Sequence, residues 1–168
     1  MNFISEANKM IHKEELVRMK HKRSIFEKSY GMTFRTLHDV GRARMAITER
    51  EELARLLTKI ILHEIYFSSF CRAGNVSERI RKQYGSEASF LYELYECTKE
   101  ADGGFLLIFN DKVGRIDYCA GRDCGEYLRK RTPVLALDLE EHAYFYDYLF
   151  ERDRYVSAAL SELDLSKI

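Results

Sequence analysis

Residues 133–155, PVLALDLEEHAYFYDYLFERDRY, decide how the rest of the chain is read. Behind the only proline of the sequence, Val134-Leu-Ala-Leu137 is a short apolar run of strand character. The run passes into a carboxylate-rich, aromatic-rich segment that reads as helix or turn. Asp138 falls where the strand should end, and His142 follows four residues later. A strand end and the turn after it can aim one carboxylate oxygen and one imidazole nitrogen at a common point. That pair suits a divalent or trivalent first-row metal; a hydrogen-bonded polar pair at a strand end is the plainer alternative.

A chain of 168 residues suits one domain or two small layers sharing a core, and buries roughly two thirds of its unfolded surface. Lys plus Arg equals Asp plus Glu at 27 each, and the two signs are interspersed apart from Arg18-Met-Lys-His-Lys-Arg23 and Arg129-Lys-Arg131. Such a balance argues against a dedicated nucleic-acid binder, although the two basic clusters can attract a small anion. The longest apolar runs are far short of a membrane span. The first ten residues, MNFISEANKM, lack a basic stretch followed by an apolar one, so a cytoplasmic protein is expected. Cys71, Cys97, Cys119 and Cys124 have no C-x-x-C spacing and read as reduced thiols, with Cys119 and Cys124 as ordinary loop residues.

In chain order, Ser5 to Tyr30 reads as a long helix capped by Ser5 and stopped by Gly31. On its 3.6-residue period His12 shares the core-side stripe with Asn8, Leu16 and Met19, whereas His21 faces water. Residues 32–47 hold a helix or a crossing loop. Thr48-Glu-Arg-Glu51 has the form of a capping box, opening a helix whose apolar stripe contains His63. A buried imidazole needs partners for both nitrogens, and a metal on one with a hydrogen bond on the other supplies them. Two further helices run from Ser77 to Tyr84 and from Ser86 to Glu100. The period then changes: Phe105–Phe109, a turn at Asn110-Asp-Lys112 and Val113–Cys119 form a β-hairpin, residues 133–137 add a third strand, and residues 151–163 a closing helix. This is an α+β layout, with long N-terminal helices as a hairpin, then a small antiparallel three-stranded sheet with flanking helices.

Three histidines on or near buried faces, His12, His63 and His142, join Asp138 in an order that resembles the iron/manganese superoxide dismutase family over nearly the whole chain. Ser5 preceding His12 by seven residues is similar to the start of that family's first helix. His63-Glu-Ile-Tyr-Phe67 resembles the second ligand with its trailing aromatics. Gln83-Tyr-Gly-Ser86 and Gly103-Gly-Phe-Leu-Leu-Ile-Phe109 resemble the glycine-serine turn and the first strand, the latter written in the family as glycine-tryptophan-x-tryptophan. Asp138-Leu-Glu-Glu-His-Ala-Tyr144, with Arg152 and Tyr155 beyond it, resembles D-V-W-E-H-A-Y-Y and the arginine-x-x-tyrosine that follows, and is the most specific match.

The resemblance implies one Fe or Mn per chain held by His12, His63, Asp138 and His142, with solvent as a fifth ligand and superoxide as substrate. Two ligands would come from an N-terminal helical domain, 1–71, and two from a C-terminal α/β domain, 72–168. Glu141 matches the glutamate that reaches a partner subunit's last histidine ligand, which implies a homodimer. Elsewhere the chain departs from the family. Leu16 and Lys20 stand where it places a histidine or tyrosine and a gating tyrosine, Glu140 replaces a tryptophan, and Phe145 replaces a tyrosine. The glutamine or histidine that bonds the metal's solvent has no counterpart, since the only glutamine is Gln83 and the sheet position falls near Gly121 and Arg122. Lys20 or Arg122 is expected to guide the anion instead. The two functional expectations are a divergent superoxide dismutase, and a catalytically weak homologue whose metal is a structural staple in a dimeric binding protein.

Overall fold

Serine oxygens start three of the helices in the computed structural model, which describes residues 1–70, 75–122, 124, 128 and 131–168. Cys71, Gly74 and the first two residues of the basic cluster 129–131 lie outside the described residues. In α1, Glu6–Tyr30, the Ser5 side chain accepts the Asn8 N–H, and Gly31 closes the helix at φ 61°, a left-handed conformation that glycine adopts without a Cβ clash. Ser77 and Ser86 cap α4, Glu78–Tyr84, and α5, Glu87–Lys99.

The capping box expected at Thr48 is not formed. Helix α3, Ile47–Ser68, begins from Ala46 without a side-chain cap, so Thr48 is already inside the first turn, whereas a capping residue needs extended backbone. A capping box instead opens α2, Leu37–Arg42, where Thr36 and Asp39 bond each other's backbone N–H groups.

Strands β1, Phe105–Asn110, β2, Ile116–Gly121, and β3, Leu135–Asp138, form an antiparallel sheet in the order β2-β1-β3. Phe105 pairs with Gly121 on one side and with Asp138 on the other. Residues 105–109 are all buried, which suits their unbroken apolar run, because the central strand is covered on both faces. The hairpin connection is longer than the expected three-residue turn. Val113 is 83% exposed and lies in the loop, where Asp111 accepts the N–H groups of Val113 and Arg115. Cys119 stands in β2 rather than in a loop. Helices α6, Glu141–Tyr148, and α7, Arg152–Ser161, and a 3₁₀ turn, Leu165–Lys167, complete the chain.

Two apolar clusters result. The larger surrounds the sheet and includes Tyr66, Phe90, Phe109 and Tyr155, and the smaller joins α1, α2 and α3 through Met19, Phe34, Leu53 and Ile60. Ser69, just after α3, ties them to the strands: its hydroxyl accepts the Ala136 N–H and its carbonyl accepts that of Asp164. Among the described residues no helix is long and apolar enough to cross a membrane.

Gly104 sits at φ 75° where β1 leaves the turn, and a Cβ there would lie 2.4 Å from the Gly121 carbonyl carbon and oxygen. Gly41 has open space at its Cβ position. Gly104→Ala should cost about 3 kcal/mol or more in urea unfolding, since backbone strain and overlap add. Gly41→Ala should gain roughly 0.5–1 kcal/mol from helix propensity. Equal midpoints for the two variants would contradict this account of the β1 entry.

Candidate metal centre

Asp138 ends β3 with its two carboxylate oxygens in different employment. Oδ1 accepts the Glu140 N–H at 2.9 Å, which closes the turn into α6, while the Tyr155 hydroxyl donates to the Asp138 backbone carbonyl at 2.8 Å. The first bond orients the carboxylate and the second holds its backbone, which leaves Oδ2 to face the histidines. His12 Nε2 and His142 Nε2 each lie 3.1 Å from Oδ2, and His63 Nε2 lies 3.5 Å from it. One donor atom from each of the four residues falls within 4.8 Å of all the others.

Each imidazole reaches this point for a reason visible in its own element. His12 is on the buried stripe of α1 between Asn8 and Met19. His63 is on that of α3, one turn after Lys59, and its Nδ1–H donates to the Lys59 carbonyl at 2.8 Å. That bond places the proton on Nδ1 and leaves a lone pair on Nε2. His142, at the second residue of α6, is carried inward by the turn that Asp138 organises. Asn8 locks α1 against α6: its Nδ2 donates to the Ala143 carbonyl at 3.0 Å and to Asp147 Oδ2 at 3.2 Å, and Ser5 N–H donates to the same carboxylate oxygen.

The electrostatics follow from burial and proximity. Burial opposes the Asp138 charge, yet the imidazoles of His12 and His142 beside Oδ2 outweigh it and hold the carboxyl well below the usual carboxylate range. Burial pushes the His63 imidazole down, favouring its neutral form. Burial also acts against charge on His142, but the adjacent Asp138 carboxylate, then the Glu15 charge, push that imidazole up. The ring faces are packed by aromatics: Tyr66 is 4.8 Å from His12 and Phe105 5.4 Å from His63, centroid to centroid.

The donor set fits a first-row metal ion. Ligand atoms bound at about 2.1 Å to one ion are roughly 3.0–3.4 Å apart when adjacent, close to the separations seen here. The Nε2 atoms of His63 and His142 are buried and make no hydrogen bond, so an ion shared with Oδ2 would give both a partner. Three imidazoles and one carboxylate are a nitrogen-rich set typical of such ions.

The other residues singled out in the sequence lie outside this group. Lys20 Nζ pairs with Glu64 Oε1 at 2.5 Å on the half-exposed surface. Arg122 pairs with Glu140 through two contacts of 3.2 Å, and Glu140 also accepts the Gly104 N–H. Glu141 is exposed at the start of α6. Gln83 exchanges hydrogen bonds with the Ile116 backbone in another part of the fold. A cavity of about 480 Å³, lined in part by Asp102, Arg122, Glu140, Glu141 and Arg152, opens against His142. The sequence places Asn8 on the core stripe but gives it no partner, and it does not single out Glu15, which stands three after His12 and brings Oε2 to 3.4 Å from His142 Nε2. The spacing H-x-x-E is the signal that puts Glu15 on the same face of α1 as His12, though not against His142.

A family model described as iron/manganese superoxide dismutases, C-terminal domain, matches residues 72–168. An iron superoxide dismutase of Cupriavidus metallidurans is 33% identical over 122 residues, covering 68% of this chain and 61% of that protein. A manganese superoxide dismutase of Halobacterium salinarum is 30% identical over 111 residues, 62% of this chain and 56% of that protein. One from Haloferax volcanii is 31% identical over 113 residues, again 62% and 56%. The chain thus spans between half and two thirds of the length of these relatives. With its C-terminal half matched by the family model and its four donors gathered at one point, the chain belongs to the iron/manganese superoxide dismutase family.

Proposed function

We propose that the protein is a superoxide dismutase-like redox metalloprotein in which His12, His63, Asp138 and His142 hold one iron or manganese ion. The observation that carries this reading is the approach of three Nε2 atoms to Asp138 Oδ2 in a chain of this family. The proposed reaction takes two superoxide anions and two protons to one dioxygen and one hydrogen peroxide, one superoxide being oxidised and the other reduced. When bound, the ion supplies a one-electron couple and a positive charge that attracts a small anion.

The chain's residues set the conditions for that chemistry. The Lys59 carbonyl holds His63 in the tautomer that presents Nε2. Asp138 contributes one negative charge, so a divalent ion in this set keeps one net positive charge. Tyr66, Phe67 and Phe105 keep water from the rings of His12 and His63, which leaves the half-turned His142, 29% exposed, as the side open to solvent. Lys20 and Arg122 are the cations proposed to guide the anion. In this reading residues 1–71 supply two ligands and residues 72–168 the other two.

Homodimer formation is part of the proposal. Exposed Glu141 shares α6 and its following turn with Phe145, Tyr146, Leu149 and Phe150, all exposed, and Phe150 is 89% so. Aromatic residues gathered at one surface are characteristic of interface cores.

One set of contacts favours the weaker homologue with a structural metal. The only glutamine is committed to Ile116, and both candidate guiding cations are paired with carboxylates. Metal analysis and superoxide decay separate the two readings. The dismutase should carry about one Fe or Mn per chain, lose it in His63→Ala, and remove superoxide faster than the same concentration of free ion. Bound metal with decay no faster than the free ion selects the structural staple, and absence of metal overturns both.

For the guiding cation, Lys20→Met should lower the rate roughly twofold or more at low salt and flatten its salt dependence; an unchanged profile dismisses Lys20. Sedimentation should show a dimer at micromolar concentration that Phe150→Asp weakens. A monomer throughout would exclude the assembly.

A further inference from the structure

Among the described residues, Glu15 is the one acidic side chain outside the four-residue set that pairs with a nitrogen of that set. It stands three residues after His12, on the same side of α1, and projects toward α6. Its Oε2 lies 3.4 Å from His142 Nε2, the same nitrogen that lies 3.1 Å from Asp138 Oδ2. That nitrogen is buried and accepts or donates no hydrogen bond, so the Glu15 contact is not an aligned ion pair. Two oxygens, one from each carboxylate, therefore approach a single imidazole nitrogen at distances expected of atoms sharing an ion, roughly 3.0–3.4 Å for adjacent ligands.

Resting on the metal-centre reading above, we propose that Glu15 is a fifth protein ligand, adding a second carboxylate oxygen to the ion held by His12, His63, Asp138 and His142. Glu15 is not within the group of four donors that are mutually within 4.8 Å, and its side chain is 34% exposed. Glu15 stands on the exposed side of the group, next to His142. No other cation holds it back among the described residues.

Charge gives this ligand a functional consequence. With Asp138 alone, a divalent ion keeps one positive charge; with Glu15 added, the divalent centre is neutral and only the trivalent one stays cationic. A hard anionic oxygen favours the trivalent state.

The test uses the full metal-free chain and Mn(II) alone. Affinity is measured by competition with a chelator, and rapidly exchanging water on the bound ion by water-proton relaxation, for wild type, Glu15→Gln and Glu15→Ala. Ligation predicts a loss of affinity of about tenfold or more in both variants. It also predicts a clear rise in relaxation in Glu15→Ala, as water enters the vacated position. Affinity within twofold of wild type overturns the proposal, and so does a fall in affinity without a rise in relaxation, because charge alone would then explain it. His63→Ala is the control. If wild type binds Mn(II) no more tightly than that variant, the four-residue centre itself fails; if wild type binds tightly and Glu15→Ala behaves like it, only the role of Glu15 fails.

Discussion

A carboxylate wholly removed from water, faced by three imidazole nitrogens, is the constraint to which the rest of the structure answers. Burying one ion in a protein costs several kcal/mol, roughly, unless charge and hydrogen bonds offset it. Asp138 meets that cost with the Glu140 N–H on Oδ1 and with His12 and His142 on Oδ2. An interior carboxylate at a strand end is thereby tolerated, and its position decides where α1, α3 and α6 must pass. If Asp138 turned outward, the three histidines would be left as buried polar groups with unmet nitrogens.

Positional accuracy at that point comes from contacts that are not themselves metal donors. Asn8 and Ser5 fasten α1 to α6 through Ala143 and Asp147, and Tyr155 reaches from α7 to the Asp138 carbonyl. Ser69 joins the end of α3 to β3. Helix, strand and turn therefore meet at buried Asp138, where a side chain held by close-packed neighbours keeps its rotamer. Replacement of such a neighbour would act on the centre through geometry rather than through chemistry.

Around this geometry the chain carries paired charges, at two positions where the motif it resembles has aromatic rings. Glu140 is not idle in the tryptophan position: it bridges Arg122 and the Gly104 N–H, and so ties the start of β1 to the turn before α6. Lys20, on the surface of α1, is tied to Glu64, the residue after His63. Both pairs sit close in sequence to a donor histidine, so the field at the centre is shaped by paired rather than open charges. Glu15 differs, since among the described residues its ion pair is with His142.

Periodicity and local chemistry were enough to read most of the elements. Ser5 and Gly31 bound α1 because capping and left-handed termination depend only on neighbours in sequence, and the switch from helical to strand period after Gly103 marks the sheet. Local reading failed at Thr48, where the backbone was already helical, and at Val113, where Asp111 extended the turn. Burial of His12 and His63 followed from their stripes, and the resemblance grouped them with Asp138 and His142. The meeting of their nitrogens at one carboxylate oxygen, the anchoring role of Asn8 and the approach of Glu15 to His142 were decided by tertiary structure alone. Spacing along a helix says which face a side chain occupies; only the packing of that face against a distant strand and turn says which atom it meets.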